Sequence, residues 1–264
     1  LANYQADPGE RRESDLLPAG GVLKPIQLKL NEEPPVNTAP KPQATQDNSK
    51  QVPPDVPAPS TPEPDSKSEV PSAPEPLGSV PGWNVMMTET FEGMWPAGLW
   101  TSYDGDGATN GDYCWDDESY KPYNGGWSGW AAGGCANGVN PATTYYPNNA
   151  RSYMVYGPFD LSDASDAELW FNFWDQSEVN YDWFYWMVSR DGTNFDGSGV
   201  SGDFGAWQFV NYDLSAYAGD SSVWIAFYFS SGFSNVDDGA FVDDVTLWKY
   251  VPPGPLTVSG YWQY

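Results

Sequence analysis

The chain has no histidine, two cysteines, and 11 basic side chains against 36 acidic ones. Without histidine there is no His-based catalytic triad and no H-E-x-x-H metalloprotease site. Two thiols with no histidine make a poor zinc site. A net charge of −25 repels phosphate backbones, which excludes nucleic acid as a partner class. No run of 18 apolar residues occurs, so no membrane span is expected. The first residue is Leu1, and no charged segment followed by an apolar one precedes the polar start. A mature secreted product at the cell surface fits these absences, and a fragment boundary would look the same. Paired carboxylates of a glycosidase remain formally open, with many candidate pairs and no means of choosing.

What is present is divided unevenly. Residues 1–80 hold 16 of the 25 prolines, no tryptophan and one aromatic residue, Tyr4. Residues 81–264 hold all 14 tryptophans and both cysteines. The first part carries 7 basic and 12 acidic residues, the second 4 and 24. Three parts follow: an extended Pro-rich tail over 1–81, a domain over 82–250 and a C-terminal extension over 251–264. A tail of this composition cannot build a core.

Within the tail, residues 22–30 stand apart. Ile26, Leu28 and Leu30 alternate with Gln27 and Lys29, the period of a half-buried strand. Pro25 restricts such a strand to an edge or a strand start. Residues 31–81 read as a polyproline-like spacer. The extension after Val251-Pro252-Pro253 is apolar: Leu256, Val258, Tyr261, Trp262 and Tyr264 either cover the domain or reach a neighbour.

From Trp83 onward, short strands alternate with Gly/Asn/Asp turns. Strands are expected near 84–92, 126–132, 151–157, 168–175, 181–190, 206–212, 222–230 and 240–249. Val223, Ile225, Phe227 and Phe229 share one face, Trp224, Ala226 and Tyr228 the other. Leu169, Phe171 and Phe173 behave alike. The pattern specifies an all-β, antiparallel two-sheet jelly-roll sandwich. Cys114 and Cys135 lie in an irregular Gly/Asn/Trp-rich stretch. A disulfide closing it implies an oxidising compartment; the alternative is two separate buried thiols.

Five segments occur in order that are similar to one family. They are TETFEGMWPAGLW (88–100), YGPFDLSDASDAELWFNFW (156–174), YDWFYWMVSRDGTNF (181–195), NYDLSAYAGDSSVWIAFYF (211–229) and DGAFVDDVTL (238–247). They resemble the MAM-like jelly roll of immune-inhibitor-A-type peptidases, cleaved adhesins and anchored bacterial surface proteins. The resemblance implies an accessory domain without one fixed activity. In similar jelly rolls a structural calcium joins the first and last strands. Carried over, its ligands are Glu92 and Asp243, with Asp244 and Glu89 as second choices; the alternative is solvated turn carboxylates. DGDGATNGD (104–112) begins like an EF-hand loop but departs from it at Ala108, Thr109 and Trp115.

Three roles are compatible with this reading, and catalysis is the weakest. The leading expectation is a non-catalytic structural subunit of an extracellular filament. Val22, Leu23, Ile26, Leu28 and Leu30 would contact neighbouring copies by donating a strand to a sheet edge. The alternative is a surface adhesin or carbohydrate-binding module, with Trp127, Trp130, Trp183 and Trp186 as sugar platforms.

Overall fold

The computed structural model describes residues 22–29, 50, 82–107 and 109–254. The side chains of Val22 and Leu23, all of Leu30, the expected spacer apart from Lys50, and the apolar residues of the extension lie outside this description.

The described chain is an all-β, two-sheet jelly-roll sandwich. Its strands are β1 (Val22–Lys29), β2 (Gly82–Glu89), β3 (Trp100–Asp104), β4 (Cys114–Glu118), β5 (Ser128–Gly134), β6 (Arg151–Phe159), β7 (Asp166–Gln176), β8 (Trp183–Ser189), β9 (Asn194–Ser201), β10 (Gln208–Asp213), β11 (Val223–Ser230) and β12 (Gly239–Val251). The first sheet runs β1-β9-β8-β11-β6-β3, the second β10-β7-β12-β5-β4, with β2 on the far half of β12. All pairings are antiparallel. No described helix is long and apolar enough to cross a membrane.

The expected strands form with shifts of a few residues at their ends. Three others, β3, β4 and β9, were not expected. β4 reads CWDDE and β9 reads NFDGSGVS, so charge and glycine hide their strand character. They are strands because neighbouring strands supply the ladder: β8 and β1 flank β9, while β3 and β4 are edge strands on β6 and β5.

Alternation places the core as expected. Val223, Ile225, Phe227 and Phe229 join Leu169, Phe171 and Phe173 in the main cluster, with Phe184, Val188 and Met154. Phe171 meets Phe227 edge-on at 4.9 Å across the sandwich. The opposite faces of the same strands form a second cluster, containing Tyr153, Tyr185, Met187, Ala226, Tyr228 and Phe195. Every residue of β8 is therefore buried, on both faces.

The tail strand forms, on a sheet edge of its own chain. All eight residues of β1 pair with β9 of the same chain, from Val22↔Ser201 to Lys29↔Asn194. Ile26 and Leu28 are buried in the second cluster, and Pro25 is exposed on the edge strand. An eight-residue half-buried strand needs only a free edge in reach, and the domain carries one.

Cys114 and Cys135 are disulfide-bonded, with a Cα separation of 5.4 Å. The bridge ties the start of β4 to the turn leaving β5. Replacing both cysteines with serine is expected to cost about 3 kcal/mol in denaturant unfolding, the chain-entropy value for a loop of this size.

Candidate functional site

The outward face of the first sheet is aromatic and closed. Register puts Tyr103, Tyr153, Tyr228 and Tyr185 side by side on one rung across four strands. Strand spacing then stacks their rings, with centroids 5.4, 3.9 and 5.7 Å apart and planes within 15°. A Cβ at Gly199 would overlap the ring of Tyr185, so β9 has no side chain where that ring lies. Burial pushes the phenols of Tyr103, Tyr153 and Tyr185 up. Tyr153, Tyr185 and Tyr228 are at most 1% exposed, so this row is packing and not an open platform.

The outward face of the second sheet is different. One rung carries Asp116, Trp130, Phe241 and Trp174. Trp207 meets Trp174 at 6.5 Å and Tyr123 at 5.6 Å. Trp174 and Trp207 are half-buried, while Tyr123 is 50% and Tyr120 41% exposed. The next rungs are polar and aromatic by turns. Asn172 lies between Asp243 and Phe209, and Trp170 lies between Thr246 and Asn211. Glu168 Oε2 accepts from Trp170 Nε1 at 2.8 Å and Asn211 Nδ2 at 3.2 Å. Its pKa is raised by burial.

The segment between β4 and β5 roofs one end of this face. Lys121 Nζ lies 4.0 Å from the Trp174 ring centre and pairs with Asp238 at 2.8 Å. Asp243 Oδ2 accepts from the amides of Tyr123 (2.9 Å) and Asn124 (3.1 Å), and Glu92 Oε1 from those of Gly126 (2.7 Å) and Trp127 (2.9 Å).

Two of the expected calcium ligands therefore hold a loop. Glu92, Asp243 and Asp244 do come together around residues 123–127, whereas the Oε1 of Glu89 accepts from the nearby amide of Phe91. Both oxygens of Asp243 are taken, Oδ1 by the amide of Asp244 at 2.7 Å. Among the described residues, no group of three or more His, Cys, Asp and Glu could hold one ion. Asp244 is left beside Glu92, whose charge adds to burial in raising its pKa. A hard cation would relieve that repulsion.

The four tryptophans expected as sugar platforms fare unequally. Trp186 is fully buried against Phe171 and Phe173. Trp130 is fully buried too, stacked on Phe241 with Nε1 donating to the Asp238 carbonyl at 2.7 Å. Trp183 is 7% exposed under Lys24, whose Nζ is 3.6 Å from its ring centre. These three are corrected from surface to packing residues, since tryptophan on a strand is usually covered. Trp127 is half-buried on the roofing loop. The exposed Tyr120 and Tyr123 and the half-buried Trp207 of this face were missed; their signal was a position in turns flanking strands.

A buried acid cluster was missed as well. Asp175 and Asp182 are fully buried. Asp182 accepts from the hydroxyl of Tyr146 and the amide of Gly232, both at 2.5 Å. Asp175 Oδ2 accepts from Ser177 at 2.8 Å, and its Oδ1 has no hydrogen-bond partner among the described residues. Burial, then the charges of Asp182, Asp203 and Asp237, raise the Asp175 pKa well above the carboxyl range. Asp243 is pushed up to about 6 by burial.

No family model matches the chain. Bacillopeptidase F of Bacillus subtilis (strain 168) is 30% identical over 141 residues, 53% of this chain and 9% of that protein. The chain thus spans about a tenth of the length of that relative. Among solved structures, the K3 cleaved adhesin domain of Lys-gingipain from Porphyromonas gingivalis w83 has 17% identity and a TM-score of 0.45, covering 62% of this chain and 98% of that one. The family 11 carbohydrate-binding module of Clostridium thermocellum, in complex with a β-1,3-1,4-mixed-linked tetrasaccharide, has 18% identity and a TM-score of 0.40, covering 66% and 100%.

Two outcomes follow from the carboxylates. A folded-state pKa above the unfolded value means the native state binds protons more tightly, so stability is lost as pH rises through that window. Asp175→Asn is therefore expected to gain on the wild type in melting temperature between pH 4 and pH 8; a constant difference would contradict the raised pKa. Millimolar calcium is expected to raise the wild-type melting temperature and to leave Asp244→Asn unmoved. An unmoved wild type rejects a cation at Glu92 and Asp244.

Proposed function

We propose that the chain is a non-catalytic, extracellular binding module that takes neutral carbohydrate on the outward face of its second sheet. The observation that carries this reading is the half-open aromatic group Trp174, Trp207 and Tyr123, set beside Asn124 and Asp244. Aromatic faces stack on the apolar side of a sugar ring, and amides and carboxylates answer its hydroxyls. The domain carries 4 basic and 24 acidic residues, which disfavours polyanionic glycans. A disulfide-bonded loop suits an oxidising, extracellular setting.

The carboxylates have a part in this scheme. Glu92, Asp243 and, through Lys121, Asp238 fix the segment that carries Tyr120 and Tyr123. They act by positioning the binding loop, and their removal loosens it.

Affinity electrophoresis in gels containing neutral polysaccharides tests the proposal. The parent protein is expected to be retarded by at least one of them. Trp207→Ala and Tyr123→Ala are each expected to weaken binding about tenfold, which corresponds to about 1.4 kcal/mol. Unchanged mobility of the parent in every neutral polysaccharide, or equal retardation of both variants, overturns it.

A further inference from the structure

The pairing of β1 with β9 is remote in sequence, and nothing in it requires one chain. Its contacts belong to the edge: eight backbone pairs, the burial of Ile26 and Leu28, and Lys24 over the Trp183 ring. A second copy offers the same edge and the same pocket. We infer that β1 is an exchangeable donor strand that also occupies the β9 edge of another copy, linking chains head to tail.

Three observations support that occupant. The first is reach. Lys50 is the next described residue after β1, and it is fastened to the domain. Its amide donates to Thr143 O at 3.1 Å, and its Nζ donates to Pro141 O at 2.5 Å and pairs with Asp238. The ring centres of Tyr120 and Tyr145 lie 4.3 and 4.9 Å from that Nζ. Residues 30–49 separate this anchor from β1, a stretch of roughly 65 Å when extended. A domain of this size is about 40 Å across. A chain still anchored at its own Lys50 can thus lay β1 on a neighbour.

The second observation is charge. Lys24 and Lys29 put positive charge on the donor, while the strand face it meets includes Asp196 and belongs to a strongly acidic domain. Opposite charge favours docking of β1 itself on an acidic domain, although residues 1–80 as a whole are net negative. The third is what the edge becomes without β1. Ile26 and Leu28 are part of the cluster with Trp183, Tyr185, Met187 and Phe195, so vacating the edge uncovers apolar surface beside an unpaired strand. A donated strand covers both at once.

Intramolecular and intermolecular pairing make the same contacts, so their balance is set by concentration. A tether of this length gives an effective concentration on the order of millimolar or below. Dilute protein then closes on itself, and crowded protein exchanges. Reciprocal exchange gives a closed dimer, and one-way exchange does not close and grows into a fibre.

Full-length chains carrying single substitutions test this directly. Gln27 and Asp196 are paired across the β1–β9 ladder and both exposed. Gln27→Cys chains are mixed with Asp196→Cys chains, incubated across a concentration series, oxidised, and run without reductant. A 27–196 linked heterodimer, identified by its linked peptide and growing in proportion to concentration, is the expected result. The double variant Q27C/D196C in one chain should link internally at low concentration and as a ladder at high concentration. Internal links alone at every concentration overturn the exchange. Absence of any 27–196 link, in the double variant too, overturns it as well, because the pairing itself is then missing.

Discussion

The first sheet is packed on both faces, and the rest of the architecture depends on that. A β-sandwich ordinarily turns one face of each sheet to water. Here β8 and β11 bury phenylalanine, tryptophan and isoleucine inward and tyrosine, methionine and alanine outward. The inward set makes the common core with β7 and β12. The outward set needs lateral completion, and β1 supplies it with Ile26 and Leu28. The tail is thereby a piece of the fold, although a long Pro-rich segment separates it from the domain.

The second sheet spends its outward face differently. Its aromatic rung is half covered by the loop from 119 to 127, and Tyr120 and Tyr123 stay exposed. That loop is held by carboxylates accepting from backbone amides and by the Lys121–Asp238 pair. One sheet thus takes the tail strand at its edge, and the other keeps half-open aromatics on its outward face. The two proposed contacts, strand exchange and carbohydrate binding, fall on different sheets.

Much of this was legible in the sequence. The alternation over 223–229 and 169–173 gave both faces correctly, and Pro25 marked β1 as an edge strand before any partner was known. The two cysteines pointed to their bridge. β9 was not legible because Gly197 and Gly199 read as a turn, while in the fold their missing side chains admit Tyr185 and the neighbouring backbone. Trp130 and Trp183 were misplaced for a related reason: a tryptophan on a strand announces a packed face without saying what covers it. The acid cluster unites Asp175 on β7 with Asp182, Asp203 and Asp237 from separate loops, and no local pattern encodes that meeting. A half-buried pattern at 22–29 specifies an edge to fill but not whose edge.

The dependence of the first sheet on β1 is most directly tested by amide hydrogen exchange in the full chain and in a chain lacking residues 1–31. Strand β9 should be well protected in the full chain. In the shortened chain its outward amides should exchange faster, with β7 and β12 unchanged. Equal protection of β9 in both chains would contradict the assignment of β1 as its partner.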